Sequence, residues 1–263
     1  MPAPAAKVVL FSTCFVNYNN PDLGEDAVSV LEKNNVQVVC PEQNCCGMPG
    51  LNTGDLAWAE KKMKANVESL YPYAKDGFKI LAINPTCSLT LKKEYVTFLP
   101  PGEWREKAAV VAAASMDLNE FLFELKKEGK FNRAFRSTPG EVSYHVPCHL
   151  RAQNIGFRSR DMMRLIPESE IHLVEECCGH NGTWAMKEEY FDLSMIAGKR
   201  SFEGMKEHPD SQFTTDCPLA AIQLEQGTGS KFRPVHPVQI LAKAYLSPEE
   251  GGFESPVKSE ESR

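Results

Sequence analysis

The sequence predicts an α/β protein made of two tandem, pseudo-repeated domains, each with a parallel-rich sheet and helices on its faces. Three observations lead there. A set of four cysteines occurs twice at a nearly constant offset. Short apolar runs of strand character alternate with helical patterns in both halves. Each cysteine set follows such runs, and beyond the carboxyl ends of parallel strands is where sites assemble in these folds.

The duplication is exact in order and close in spacing. Cys14, Cys45-Cys46-Gly47 and Cys87 form one set; Cys148, Cys177-Cys178-Gly179 and Cys217 form the other. Matching cysteines lie 134, 132 and 130 residues apart. Within the first set the intervening segments hold 30 and 39 residues, and within the second 28 and 37. A period of this length means two copies of one domain.

Taken in order, Lys7-Val-Val-Leu-Phe is a strand leading to Cys14, and Glu25–Lys33 is the first helical pattern. Val36-Gln-Val-Val leads towards the cysteine pair, Ala57–Leu70 is helical, and Lys79-Ile-Leu-Ala-Ile precedes Cys87. Trp104–Lys127 reads as helical, and Lys130–Gly140, ending in Pro139-Gly140, as the linker. The second half repeats the plan: Val142-Ser-Tyr-His-Val before Cys148, Arg158–Ile166 helical, Ile171-His-Leu-Val before Cys177, Trp184–Glu207 helical, Ser211-Gln-Phe-Thr before Cys217. The domains expected are residues 1–130 and 131–246. A tail from 247 to 263, rich in Glu, Ser, Gly and Pro, is expected to be disordered.

Composition narrows the function. The chain is 42% hydrophobic and 24% charged, with a net charge of −6. A general nucleic-acid binder needs a basic face, so that class is set aside. No apolar run reaches the roughly 18 residues of a membrane-spanning helix, and no signal peptide is recognisable, which gives the expectation of a cytoplasmic protein. Nine cysteines is an odd number in a chain of this size, and points to metal or redox chemistry rather than a disulfide framework.

Four thiolates per set is the donor complement of an iron–sulfur cluster, and soft sulfur ligands select such clusters over hard cations. Adjacent cysteines face one centre only where the backbone curls tightly, the freedom that Gly47 and Gly179 supply. Cys217 is followed by Pro218, and Cys87 by Ser88-Leu-Thr-Leu-Lys, so each final cysteine opens a helix whose positive end favours an anionic cluster. Zinc on four thiolates in at least one half is the alternative, although the usual Cys-x-x-Cys knuckles are missing. Cys40 stands outside the pattern and reads as an ordinary buried thiol. His149 and His180 adjoin the second set, where they would donate hydrogen bonds to sulfur or relay protons, or else sit in a polar loop. His145, His172, His208 and His236 follow no pattern.

The doubled motif resembles the cysteine-rich CCG-domain iron–sulfur family, whose members include the heterodisulfide reductase B subunit, the anaerobic glycerol-3-phosphate dehydrogenase C subunit, the glycolate oxidase iron–sulfur subunit and lactate utilization protein A. His145-Val-Pro-Cys-His-Leu-Arg-Ala-Gln-Asn-Ile-Gly, Val174-Glu-Glu-Cys-Cys-Gly and Gly182-Thr-Trp look most like the glycerol-3-phosphate dehydrogenase protein. The fullest family motif ends in Cys-x-x-Cys and holds a non-cubane [4Fe–4S] cluster. Here Thr90 and Ala220 replace that last cysteine, leaving cubane and non-cubane clusters both open. The closely spaced ferredoxin-type cysteines of the glycerol-3-phosphate dehydrogenase protein are absent from this sequence.

The resemblance implies two [4Fe–4S] clusters in an electron-transfer subunit, working between a flavoprotein dehydrogenase (glycerol-3-phosphate, lactate or glycolate type) and a quinone or other acceptor. It also implies an alternative, a thiol–disulfide reductase whose clusters cleave a disulfide. Membrane association would be peripheral, through a partner.

Overall fold

A computed structural model describes residues 4–257 of the 263-residue chain. In the first half, β1 (Ala6–Phe11) turns into α1 (Thr13–Asn19) and α2 (Pro21–Lys33), followed by β2 (Val36–Val39). The Cys-Cys-Gly loop then leads to α3 (Met48–Thr53), α4 (Leu56–Lys75) and β3 (Lys79–Ala82). Next comes α5 (Pro85–Leu89), which passes through a π-helical turn at Thr90–Glu94 into α6 (Tyr95–Phe98). This half closes with α7 (Glu103–Ala114), β4 (Ser115–Asp117) and α8 (Leu118–Lys127).

The second half begins with β5 (Ser137–Thr138), β6 (Glu141–His145), α9 (Cys148–Arg151), α10 (Arg158–Met163) and β7 (Glu170–Val174). It continues through α11 (Glu188–Lys206), β8 (Gln212–Thr215), α12 (Pro218–Thr228), α13 (Pro237–Ala244) and β9 (Ser255–Pro256).

The repeat is visible in the topology. One sheet has the order β2-β1-β3-β4 and the other β7-β6-β8, with every pairing parallel. In both, the strand that leads to the first cysteine of the set, β1 or β6, is flanked by the two strands that follow it in the chain. The fold is thus the mixed α/β arrangement of parallel sheets that the sequence predicts.

The segment Trp104–Lys127, expected to be helical, is helical at both ends and interrupted in the middle. Ser115–Asp117 leaves the helical path to add β4 to the sheet edge. Asp117 then caps α8, accepting from the Asn119 amide while Glu120 reaches back to the Asp117 amide. The 247–257 part of the expected disordered tail also departs from expectation. Ser247 and Glu250 cap a short 3₁₀ turn, Phe253 is buried, and β9 pairs antiparallel with β5. One aromatic anchor and an Arg136–Glu250 ion pair at 2.5 Å hold a stretch whose composition resembles a tail. Residues 258–263 lie outside the described residues.

Alternate residues of each strand face different layers. Val9, Phe11, Ile80 and Ala82 pack beneath α4 and α7. Val8, Leu10, Leu81 and Ile83 face the other way and join Val142, Tyr144 and Val146 of the second half in one core with residues of α2, α8, α10 and α13. The far side of the second sheet is closed by α11 and α12 through Phe202, Met205 and Leu224. The two sheets therefore share their largest apolar layer, where each fully buried aliphatic side chain stabilises by roughly 2 kcal/mol.

Candidate metal centre

Both cysteine sets lie at the carboxyl ends of their sheets. β1 ends one residue before α1, which carries Cys14 in its first turn, and β6 is followed by α9, which starts at Cys148. Cys87 sits in the first turn of α5, behind the Asn84 cap that accepts from the Thr86 amide at 2.9 Å. Cys217 is itself the cap residue of α12. The sequence expectation that each final cysteine opens a helix holds in both halves.

The Cys-Cys-Gly loops are fixed by buried amides. Gln43 accepts from the Ser12 amide at 3.1 Å and donates to Leu10 O at 2.6 Å, tying the loop to the end of β1. Asn66, fully buried on α4, accepts from the Asn44 amide at 2.8 Å and donates to Cys45 O at 3.0 Å. In the second half His145 does the equivalent work. It bridges Thr215 Oγ1 at 3.1 Å and Glu176 O at 3.1 Å, just before Cys177. Gly47 (φ +97°) and Gly179 (φ +79°) occupy the left-handed region, so the curl attributed to glycine is present in both loops. Burial lowers the His145 pKa to about 4.

In the first set neighbouring thiols lie close enough to shift one another's ionisation, Cys14 with Cys45, Cys45 with Cys46 and Cys46 with Cys87. Accepting from the Cys14 and Cys46 thiols holds the Cys45 thiolate down to about 3. The same hydrogen bonds push Cys14 and Cys46 up. The second set is more open. Burial is the largest influence there, raising Cys148, Cys178 to about 11 and Cys217 to about 12. Cys177 is exposed, and its sulfur accepts from the Gly179 amide at 3.4 Å.

The two sets share one cleft of about 250 Å³, walled mostly by apolar surface. Cys14, Cys45, Cys46 and Cys87 line it from one side, and Cys148, Cys178 and Cys217 from the other. Cys177 lies outside the lining. His149 and His180 both reach the cleft, and burial lowers the pKa of each. His149 is placed differently from the sequence expectation, since its Nδ1 pairs with Thr86 Oγ1 of the first half at 2.8 Å. His180 Nε2 is buried near Gln223 and meets no partner in good hydrogen-bonding geometry.

Residues that sequence reasoning missed join the halves beside the cleft. Gln153 donates to Ser88 Oγ at 2.7 Å and to Pro85 O at 3.3 Å, and Lys93 donates to Ala152 O at 2.9 Å. Asp216, buried one residue before Cys217, accepts from Asn119 of the first half at 3.2 Å, from Tyr144 at 2.5 Å and from Ser159. None of these has a spacing that marks it. Thr90 and Ala220, in place of the fifth cysteines, differ in setting: Thr90 is fully buried and donates to Thr86 O at 2.6 Å, whereas Ala220 lines the cleft. Cys40, expected to be buried, is exposed at the end of β2 and lies outside the cleft lining.

As donors the two sets fit a thiophilic centre. Each offers four soft sulfurs at strand ends, and the neighbouring thiols shift Cys45 towards the thiolate form that metal ligation requires. Hard cations such as Mg²⁺ and Ca²⁺ prefer oxygen. Among the described residues, no helix is long and apolar enough to cross a membrane.

Comparison with known proteins agrees with this picture. The C subunit of anaerobic glycerol-3-phosphate dehydrogenase from Escherichia coli is 31% identical over 242 residues, which is 90% of this chain and 59% of that protein. The B subunit of fumarate reductase (CoM/CoB) from Methanothermobacter marburgensis is 27% identical over 92% of this chain and 47% of its own length. Lactate utilization protein A of Oceanobacillus iheyensis is 28% identical over 73% of this chain and 78% of its own. The chain thus spans about half to three-fifths of the length of the first two. The sequence signature described as "Cysteine-rich domain" matches residues 8–92 and again 142–225, covering both cysteine sets, and the chain belongs to that family with two copies in tandem.

Proposed function

We propose that this chain is an iron–sulfur electron-transfer subunit of an oxidoreductase, with one [4Fe–4S] cluster in each half. Cys14, Cys45, Cys46 and Cys87 would hold the first, and Cys148, Cys177, Cys178 and Cys217 the second. The observation that carries this reading is that all four cysteines of the first set and three of the second line one cleft, which would put two redox centres within reach of each other. Bound there, the clusters would supply one-electron chemistry. His149 and His180, which line the cleft, would donate hydrogen bonds to the clusters and so tune potential.

The relatives named as subunits support a multi-protein electron path. Here the donor would be a flavin-dependent dehydrogenase of the glycerol-3-phosphate, lactate or glycolate type, and the acceptor a quinone or another carrier. The acidic net charge of −6 would favour a basic partner surface and make association salt-sensitive. Anaerobic stopped-flow tests this. Cluster absorbance should bleach when the dehydrogenase and its substrate are both present, and stay unchanged with substrate alone. Reduction by the metabolite without a partner would contradict this reading.

A second reading rests on the cavity itself. A space of about 250 Å³ between the two sets would admit a small disulfide, and one relative is named as part of a fumarate reductase (CoM/CoB). Turnover of small disulfides by the isolated, reduced chain would favour that reading over simple electron relay. The more open second set keeps zinc as its alternative occupant; metal analysis of each half decides that point.

A further inference from the structure

At the amino end of the second sheet, opposite the cleft, three side chains from three separate elements converge. Glu141 opens β6, His172 stands in β7, and His208 follows α11. His172 Nε2 and His208 Nδ1 each lie 3.4 Å from the same Glu141 oxygen, Oε2. All three donor atoms fall within 4.8 Å of one another. His172 Nε2 is shielded from solvent and makes no hydrogen bond.

We propose that Glu141, His172 and His208 form a second, cysteine-free metal site for a divalent transition ion, Zn²⁺ in the first instance. Zinc takes imidazole and carboxylate ligands at about 2.0–2.2 Å, and ligands on a tetrahedron of that size stand about 3.3–3.5 Å apart. The two nitrogen–oxygen separations have this value, which is long for a hydrogen bond and right for two ligands on one ion. Two imidazoles and one carboxylate leave a fourth position for water, as in open zinc sites.

The surroundings are built to hold these groups. The His208 carbonyl accepts from the Ser211 amide at 3.1 Å and from Ser211 Oγ at 2.6 Å. Ser211 Oγ in turn meets Ser143 Oγ of β6 at 2.7 Å, so the loop carrying His208 is pinned to the strand that carries Glu141. Glu170 pairs in register with Glu141 and adds negative charge on the same face. His208 also lies two residues beyond the end of the 19-residue α11, where the helix dipole is negative and favours a cation. The imidazole rings are stacked at 3.5 Å with planes 6° apart. For both lone pairs to reach one ion the rings must tilt open, and ion binding therefore reshapes the pair rather than slotting between fixed rings. The ion would clip β6, β7 and the loop before β8 together at the end of the sheet remote from the cysteines.

Zinc K-edge X-ray absorption tests this, because it reads zinc alone whatever the cysteines hold. Anaerobically prepared protein is loaded with Zn²⁺, dialysed and compared with the His172→Ala/His208→Ala variant. The expected result is a nitrogen/oxygen shell at about 2.0 Å with imidazole scattering beyond it. In the variant that shell is lost, and affinity for the nitrogen/oxygen-bound zinc falls by at least the roughly 10–100-fold that even outer-sphere changes cost metal sites. Far-UV circular dichroism confirms that the variant is folded, as expected for side chains that are 21% and 37% exposed. The proposal is overturned if the wild-type zinc shows only a sulfur shell near 2.3 Å, or if the variant keeps the same nitrogen/oxygen shell as the wild type.

Discussion

His145 shows how much a single side chain carries here. It joins the end of β6 to β8 and to the carbonyl of Glu176, next to Cys177. Its folded pKa of about 4 lies below the ordinary 6.5, so the unfolded chain takes up the proton first as pH falls. The stability it contributes is complete above pH 6.5 and is lost on descending towards pH 4. In denaturant titrations of the metal-free, reduced chain, wild type should lose about 2 kcal/mol more than His145→Asn between pH 7 and pH 5. Equal losses would show that burial does not hold this imidazole neutral. Cys40 makes the opposite case. It is exposed outside the cleft lining, and Cys40→Ser should leave the iron content of the purified protein unchanged. A fall in iron would make it a ligand in place of a missing fifth cysteine.

Among the elements, the two Cys-Cys-Gly loops look alike in sequence and differ in tolerance. A Cβ on Gly179 would overlap the Ser194 carbonyl oxygen of α11, whereas one on Gly47 would stand 3.3 Å from Ala59 O. Gly47→Ala should cost about the 1–2 kcal/mol of a left-handed residue. Gly179→Ala should in addition displace Cys178 and lose the second metal complement, measured as iron per chain. Equal iron in the two variants would contradict this account of the loops. The strands, helices and cysteine positions were legible beforehand because donor spacing and apolar periodicity are written along the chain. The break at Ser115–Asp117 was not, since a three-residue edge strand between two helices leaves no period to read. Nor was the ordered stretch after Ser247, which depends on Phe253 finding a site formed by residues far away in sequence.

At the scale of the whole molecule, the repeat conceals a joint core. Val8 and Leu10 alternate with Val9 and Phe11, and all are apolar, as strands buried on both faces must be. Nothing in that run says that one face is covered by the other half. Separately expressed residues 1–130 and 131–263 should therefore be insoluble or unfolded, while the full chain unfolds in one transition by circular dichroism and fluorescence. Two resolved transitions would mean that the shared layer is energetically minor.

A joint core need not mean a joint metal site, and the central claim is that each half holds its own cluster while both open on one cleft. Iron and acid-labile sulfide, counted in anaerobically reconstituted wild type and in Cys46→Ser and Cys178→Ser, test it most directly. Wild type should contain about eight of each, on the usual four per cluster, and each variant about four. Loss of all iron from either folded variant, or stoichiometric zinc in place of iron in the wild type, would contradict it.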